Sequence, residues 1–114
     1  MPPDVFETLA DPMRRRIVET LRGGERAVND LVEHLDIHQS GVSRHLRILR
    51  RAGFVHMRPS GPRRLYSLRP EPFQELDRWV AGYKKLWEGR LDRFAAELDK
   101  RQRARAAKRK EGAT

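Results

Sequence analysis

Two short amphipathic segments separated by only three residues constrain the fold of this chain more than any other feature. Residues 28–35 repeat apolar side chains at helical spacing, and residues 39–51 do so again, with an apolar face made of Val42, Leu46 and Leu49. Residues 36–38 leave room for a turn only, and Ala52-Gly53 closes the second helix. Two short helices joined in this way form a helix-turn-helix.

The segment that follows has strand-like composition. Residues 54–58 and 64–68 both contain aromatic and branched aliphatic side chains, and residues 59–63 between them contain two prolines and a glycine. A Pro/Gly turn between two such runs predicts a β-hairpin. A helix-turn-helix followed by a hairpin is a winged helix.

Two further helices are predicted ahead of the helix-turn-helix. Residues 6–10 form a short apolar turn. Asp11 then suits the position before a helix, because its carboxylate accepts from free backbone N–H groups, and Pro12 loses no hydrogen bond in the first turn. Gly23-Gly24 ends that second helix. The expected fold class is therefore mainly α with a small β-hairpin: four helices, the hairpin and a long last helix.

The last helix is predicted to begin at Pro70 and to run for some 30 residues. Apolar residues recur along it every three or four positions, at Phe73, Leu76, Val80, Tyr83, Trp87, Leu91, Phe94 and Leu98. One small domain cannot cover a stripe of this length, which favours a partner helix over a helix that folds back on its own domain. The step of four from Trp87 to Leu91 departs from a strict heptad, so we expect a packed helical dimer rather than an extended coiled coil.

Charge is segregated along the chain. Residues 39–69 contain eight arginines and no acidic residue, whereas residues 1–38 and 70–98 are slightly acidic and residues 99–114 are basic again. An acid-free basic segment suits a polyanion, because each acid there would repel phosphates. This pattern predicts double-stranded DNA as a partner. A protein that coats nucleic acid without sequence preference remains an alternative, as does a dimeric adaptor or antitoxin-like inhibitor.

Composition excludes several other classes of protein. The chain of 114 residues suits one domain and has no cysteine, which excludes disulfides, zinc ribbons and thiolate nucleophiles. No apolar stretch approaches the roughly 20 residues that span a bilayer, and the N-terminus lacks a signal-peptide pattern, so we expect a cytoplasmic protein without a membrane partner. No Gly-rich phosphate loop or inward carboxylate pair is visible, and Ser43 and His45 lie on different helix faces, so no enzyme is predicted.

Three motifs in order resemble the ArsR/SmtB winged-helix repressors. They are Phe6-x-x-Leu9-Ala10-Asp11-Pro12-x-Arg14-x-x-Ile17, then Ser43-Arg44-His45-Leu46-x-x-Leu49-x-x-Ala52-Gly53-Phe54-Val55, then Gly61-x-Arg63-Arg64-x-Tyr66-x-Leu68. The resemblance covers residues 4–98 and implies a winged-helix and dimerisation domain over residues 1–98, followed by a basic tail, residues 99–114, that we expect to be disordered. It also implies a repressor, in some relatives acting on its own promoter.

The same resemblance implies a homodimer built on the first and last helices. Its two recognition helices would then read successive major grooves of an inverted repeat. The expected dimer contacts are Phe6, Leu9, Trp79, Val80, Tyr83, Leu86, Trp87, Leu91 and Phe94. A pocket for an apolar effector, lined by the tryptophans and Tyr83, is the alternative use of those aromatic side chains.

The recognition helix supplies the expected base contacts. By position, its exposed N-terminal part carries Gln39, Ser40, Ser43 and Arg44. Arg44 suits guanine and Gln39 suits adenine, although Gln39 and Ser40 also suit helix capping. For His45, a DNA contact and a partly packed surface imidazole stay equally open.

Other arginines are expected to contact the DNA backbone. Arg47, Arg50 and Arg51 follow on the recognition helix, where they either neutralise phosphates or remain solvated. Arg63 and Arg64 lie in the hairpin and are expected to follow the backbone or the minor groove.

The sequence departs from the metal-sensing members of the family, and no metal or cofactor is predicted. Ala27 and Asn29 stand where those members carry a cysteine pair, and residues 70–105 contain no histidine. Asp30, His34 and His38 would share one face of a continuous helix, but the turn at residues 36–38 is expected to separate them. The aromatic pattern of the last helix instead resembles a subgroup that senses no metal.

Overall fold

The computed structural model describes residues 4–112. Its elements in chain order are α1 (Val5–Ala10), α2 (Pro12–Leu21), β1 (Arg26–Ala27), α3 (Val28–Leu35), α4 (Gln39–Arg51), β2 (Val55–Ser60), β3 (Arg63–Leu68), α5 (Glu71–Ala81) and α6 (Lys84–Gly112). The chain divides into two compact units, of which the first ends at Leu76 and the second begins at Asp77. In the part of the chain described, no helix has the length and apolar character needed to cross a membrane.

The helix-turn-helix is formed by α3 and α4, as predicted. Asp36 ends α3 in the left-handed conformation, with φ of 52°, and its N–H donates to the Val32 carbonyl at 3.0 Å. This turn redirects the chain before α4 begins at Gln39, so His38 does not continue the face of α3 that carries His34. The local signals in the sequence therefore place both helices correctly.

The core of the first unit lies where these helices meet the sheet. Its fully buried side chains come from all four helices α1 to α4, from the residue before β2 and from the first residue of β2: Thr8, Ile17, Leu31, Val42, Leu46, Leu49, Phe54 and Val55. The rings of Phe54 and Phe73 lie 5.5 Å apart and nearly perpendicular, at 88°. This edge-to-face contact packs the start of α5 against the helix-turn-helix.

The sheet has three strands in the order β1-β3-β2, all antiparallel. Sequence reasoning missed β1, since two residues are too few to show a strand pattern. The predicted five-residue turn over residues 59–63 is also wrong, because pairing continues to Ser60 and Arg63 and only Gly61 and Pro62 form the loop. Gly61 has φ of 60°, a conformation that suits a tight hairpin loop, and β2 is an edge strand that tolerates Pro59.

The predicted long last helix is two helices. Gly82 N–H bonds to the carbonyls of Arg78 and Trp79, both at 3.2 Å, and Tyr83 N–H bonds to the Val80 carbonyl at 2.9 Å. The bonds to Trp79 and Val80 reach back three residues instead of the four of an α-helix. The backbone is therefore wound more tightly at this point, and α5 ends at Ala81. Apolar spacing alone did not reveal this break, because the stripe keeps its period across it.

The structure also differs from the expectation of a disordered tail, since α6 continues through Gly112. Alanine, arginine, lysine and glutamine are strong helix formers, so the loss of the apolar stripe does not end the helix. Two ion pairs, each between residues one helical turn apart, stabilise this part of the helix. Glu97 pairs with Arg101 at 3.6 Å and Asp99 pairs with Arg103 at 3.0 Å, and in both pairs the acid is on the N-terminal side. Residues 113 and 114 of the predicted tail lie outside the described residues.

Asp11 provides a test of local helix stability. Its carboxylate accepts from the backbone N–H groups of Met13 at 2.8 Å and Arg14 at 3.1 Å. Partial burial acts to raise the pKa of this carboxyl, but these hydrogen bonds outweigh it and hold the pKa below its usual value of 3.8. We expect Asp11→Ala to lower the free energy of unfolding by about 1 kcal/mol at pH 7, as measured by urea denaturation.

The pH dependence of this difference follows from the lowered pKa. The stabilisation is complete above the unfolded-state pKa, near 3.8, and disappears as the pH falls through the lower pKa of the folded state. The difference between the wild type and Asp11→Ala should therefore shrink in acid. Asp11→Asn, which keeps a capping oxygen without the charge, is the matched control, and an Asp11→Ala protein as stable as the wild type at pH 7 would contradict the role of the cap.

Candidate nucleic-acid interface

Helix α4 has one buried face and one basic exposed face. Val42, Leu46 and Leu49 are fully buried. The exposed residues are Gln39, Ser40, Arg44, Arg47, Arg50 and Arg51. At about 100° per residue these six project within an arc of roughly 140° that contains none of the three fully buried residues. The helix therefore presents a continuous polar and cationic face outward.

The predicted base-reading residues lie at the start of this face. Gln39, Ser40 and Arg44 are exposed, and Ser43 is half-buried within the same arc. His38 is the residue that precedes the helix, and its side chain makes no capping hydrogen bond. Among residues 4–112, no capping bond from the side chains of Gln39 or Ser40 is seen either. Their polar atoms are therefore available to a ligand.

His45 projects away from that face. It lies about 100° beyond Arg44 around the helix axis and is half-buried. Its Nδ1 atom is buried and has no hydrogen-bond partner in the described part of the chain. The imidazole is close enough to Asp11, at the start of α2, to help lower the pKa of that carboxyl, although burial and backbone hydrogen bonds act on it more strongly. The structure thus gives His45 the surroundings of a partly packed side chain.

A groove separates α4 from the wing formed by β2 and β3. It has a volume of about 400 Å³. Its lining contains three arginines, several hydrogen-bonding side chains and no acid: Val28, Gln39, Ser43, Arg47, Arg50, Arg64 and Tyr66. Guanidinium groups converging on one groove suit phosphate oxygens, which accept charge-assisted hydrogen bonds.

Tyr66 was not among the residues predicted from the sequence. It lines the groove together with Arg64, two positions earlier on β3. Alternate residues of a strand point to the same face, so the strand period would have placed the two side chains together. The charge pattern of residues 39–69 does not indicate Tyr66, which is uncharged, whereas the strand period of the hairpin does.

Two arginines of the wing are paired with acids from outside the acid-free segment. Arg58 makes a two-bond contact with Glu25, from Nε to Oε2 at 2.8 Å and from Nη2 to Oε1 at 2.7 Å. Arg63 Nη2 donates to Asp30 Oδ2 at 2.9 Å. The hydrogen bonds from Arg58 lower the pKa of the Glu25 carboxyl, and those to Glu25 raise the pKa of Arg58.

The other arginines of the predicted interface are unpaired. Within residues 4–112, no ion pair involves Arg44, Arg47, Arg50, Arg51 or Arg64, whereas Glu25 and Asp30 pair with Arg58 and Arg63. The cationic surface therefore consists of the face of α4 and the wing residue Arg64. Arg63, by contrast, carries a neutralising partner.

Comparison with known proteins identifies the family. Residues 11–57 match the family described as bacterial regulatory protein, arsR family. The transcriptional repressor SdpR of Bacillus subtilis (strain 168) is 32% identical over 70% of this chain and 89% of its own length. The HTH-type transcriptional regulator Rv2034 of Mycobacterium tuberculosis (strain ATCC 25618 / H37Rv) is 37% identical over 80% and 92%. The chain belongs to the ArsR family.

Structural similarity supports the same assignment for this ArsR-family regulator. The winged helix-turn-helix DNA-binding domain of Mb0332 from Mycobacterium bovis, described as homodimeric, has a TM-score of 0.59 and 28% identity, covering 69% of this chain and 76% of that one. The protein is thus a winged-helix, DNA-binding transcriptional regulator. The predicted fold class and family are confirmed.

The predicted dimer residues of this ArsR-family protein are mostly exposed. Phe6 of α1 is 43% exposed, while Leu9 is half-buried against the core of its own unit. The exposed apolar residues of the second unit are Trp79, Val80, Tyr83, Leu86, Trp87, Leu91, Phe94 and Leu98. The rings of Trp79 and Tyr83 lie 5.0 Å apart. Exposed large apolar side chains in this number are typical of an association face.

Asp30, His34 and His38, the three residues that would share one face of a continuous helix, do not form a metal site in the described part of the chain. Among the residues that the structure describes, no group of three or more histidine and carboxylate side chains is arranged to hold a metal ion. His38 lies beyond the left-handed turn at Asp36. The carboxylate of Asp30 binds Arg63 and the Ala27 N–H instead.

Proposed function

We propose that this ArsR-family regulator is a homodimeric repressor that binds an inverted-repeat operator, including one in its own promoter. The observation that carries the proposal is the acid-free groove of about 400 Å³ between α4 and the wing. Its three arginines suit a DNA backbone segment while the start of α4 enters the major groove. The protein then acts in the cytoplasm as a regulator without catalytic activity.

The polar residues of this interface form two groups in the proposal, one that reads bases and one that binds phosphates. Arg44 donates two hydrogen bonds to a guanine, and Gln39 reads an adjacent base, with Ser40 and Ser43 assisting. A further set binds phosphates and carries no sequence information: Arg47, Arg50, Arg51, Arg63 and Arg64. His45 is left out of the base-reading set, because its half-buried imidazole projects away from the exposed face.

Dimerisation supplies the two-fold symmetry that an inverted repeat requires. The exposed stripe of aromatic and aliphatic side chains in the second unit supports pairing with a second copy of the chain. In the first unit, Phe6 of α1 is exposed and is a second candidate contact, whereas Leu9 packs mainly against the core of that unit. Two recognition helices then reach half-sites about one helical turn apart.

The basic end of α6 adds affinity that does not depend on sequence. Residues 99–112 contain seven lysines and arginines against two acids. Because the segment is helical rather than disordered, its lysines and arginines are spaced along α6 and can bind DNA phosphates without regard to sequence. This end of the chain therefore speeds the search for the operator without selecting it.

Footprinting and binding in salt test the proposed function. We expect the purified protein to sediment as a dimer and to protect an inverted repeat in its own promoter, with half-sites about one helical turn apart. At about 0.15 M salt the operator should stay bound while random DNA dissociates. If both dissociate together, the protein is a sequence-independent coating protein and the operator proposal is wrong.

A further inference from the structure

One carboxylate oxygen joins the wing to the start of α3. Asp30 Oδ2 accepts from Arg63 Nη2 at 2.9 Å and from the Ala27 backbone N–H at 3.2 Å. The second bond closes the first turn of α3, where Asp30 occupies the third helical position. The side chains of Arg63 and Asp30 are 56% and 43% exposed, so the ion pair lies at the surface and in contact with water.

The pair is located beside the proposed DNA-binding surface. A second groove, of about 210 Å³, is lined by Arg63 together with its neighbours Pro62 and Arg64 from the wing, and by Gln39, the first residue of the recognition helix. A phosphate that approaches Arg64 and Gln39 therefore meets Arg63 already bound to an acid. Because Arg58 and Arg63 are both paired, the free protein presents two cations fewer than the sequence of the wing suggests, and Arg63 is the paired one that lines this groove.

We propose that Asp30 is a built-in competitor of DNA for Arg63. The Asp30 carboxylate takes up one N–H donor of Arg63 and offsets its positive charge, so a phosphate must compete with it for the guanidinium, and exposed ion pairs are weak enough to be exchanged in this way. This inference rests on the proposed contact between Arg63 and the DNA backbone. The new element is an acidic residue on α3 that limits the contribution of the wing.

The competition reduces affinity for all sequences to a similar extent, since Arg63 would contact the backbone and not a base. A regulator must find one operator among very many random sites, so lower affinity for random DNA shortens each unproductive stop. Base contacts such as the one proposed for Arg44 then decide where the protein stays. Asp30 therefore lowers the share of the binding free energy that comes from backbone contacts and leaves the preference for the operator over random DNA unchanged.

The other ion pair of the wing differs in geometry. Glu25 holds Arg58 by two short hydrogen bonds, and its side chain is only 29% exposed. Arg58 lies opposite Leu65 in the hairpin, away from the loop at Gly61 and Pro62, and lines neither groove beside α4. This pair braces the middle of the wing, whereas the single bond of Asp30 to Arg63 is the exchangeable one.

Four variants of the full chain test the competition: Asp30→Asn, Arg63→Ala, the double variant, and Glu71→Gln as a control. Glu71 pairs with Arg69 at 3.5 Å, so Glu71→Gln changes the net charge as Asp30→Asn does but lies outside both grooves beside α4. Binding is measured by fluorescence anisotropy on a random duplex and on the operator, over a series of salt concentrations.

We expect Asp30→Asn to bind random DNA about three- to tenfold more tightly at about 0.15 M salt, with a salt slope steeper by about one counterion, as one further phosphate contact requires. Glu71→Gln should leave the slope unchanged. Arg63→Ala should bind more weakly than the wild type, and the double variant should match Arg63→Ala, because Asp30 has nothing left to occupy.

The outcomes separate this inference from the function on which it rests. If Arg63→Ala binds DNA as the wild type does, the proposed wing contact itself is wrong. If Arg63→Ala binds more weakly but Asp30→Asn behaves like Glu71→Gln, the wing contact stands and the competition is refuted. A gain from Asp30→Asn that persists in the double variant also refutes it, because Asp30 would then repel DNA directly.

A second variant, Asp30→Gln, keeps the test valid if Asp30→Asn loses the hydrogen bond to the Ala27 N–H at the start of α3 and does not fold. Asn keeps an oxygen for the Ala27 N–H, and circular dichroism would show whether Asp30→Asn folds. If it does not, Asp30→Gln places the neutral residue typical of a capping box at the same helical position. The same gain in affinity and the same dependence on Arg63 are expected from Asp30→Gln, and their absence in a folded protein would overturn the proposal.

Discussion

Phe54→Ala should lower the free energy of unfolding by about 3–5 kcal/mol, the usual range for a buried phenylalanine. The side chain is fully buried between the end of α4 and the start of β2, where its ring meets that of Phe73. Its backbone N–H donates to the Leu49 carbonyl and its carbonyl accepts from Arg69 N–H, both at 2.9 Å. These bonds hold the backbone in place, so a cavity would remain.

A loss of this size is a large part of the stability of a small domain, about 5–15 kcal/mol in total. Urea unfolding followed by circular dichroism measures it, with an unchanged dependence on denaturant as the sign that only stability has changed. Phe54→Leu, which keeps most of the volume, is the control and should lose clearly less. A loss below about 1 kcal/mol for Phe54→Ala would mean that the site collapses without a cavity.

Arg44→Ala should weaken operator binding by about 1–3 kcal/mol and relax the preference at one base pair of each half-site. Arg44 is exposed on the outward face of α4, in its N-terminal half, and no acid in residues 4–112 pairs with it. A free guanidinium at this point of a recognition helix suits the two acceptors of guanine, O6 and N7. Binding to a set of operators that differ at single positions measures the relaxed preference.

Arg51→Ala is the matched control for Arg44→Ala. Arg51 lies on the same exposed face, at the opposite end of α4, and is also unpaired in the described part of the chain. As a phosphate contact it should weaken binding to operator and random DNA alike and reduce the salt slope by about one. Should Arg44→Ala weaken operator and random DNA equally, Arg44 is a backbone contact and the base-reading role is wrong.

Local signals made most of the first unit predictable. Asp11 and Pro12 begin α2 as expected, since a capping oxygen and a fixed φ act within one helical turn. The apolar period of α4 correctly identified the buried face of the recognition helix. The extent of the hairpin was less predictable, because Gly61 allows a two-residue loop and pairing then extends through Pro59.

The sequence pattern did not predict the break between α5 and α6, the helical end of α6 or the surroundings of His45. The apolar stripe of the last helices continues across Gly82, where bonds to the third preceding residue end α5. The end of α6 has no apolar stripe, yet its alanines and cations favour a helix without tertiary contacts. His45 could not be assigned from the sequence, because its Nδ1 atom is buried by packing within the first unit.

The sequence by itself determined where α2, α3 and α4 lie, and it shows eight arginines in residues 39–69 without an acid among them. Caps, turns and periodicity act over a few neighbouring residues, so they can be read from the chain. The tertiary structure alone decided which of those arginines are free. Glu25 reaches Arg58, and Asp30 reaches Arg63, across 33 positions in each pair. Ion pairing depends on distance in space, so the fold pairs Arg63 with Asp30 and leaves Arg44, Arg47, Arg50, Arg51 and Arg64 without an acidic partner among residues 4–112.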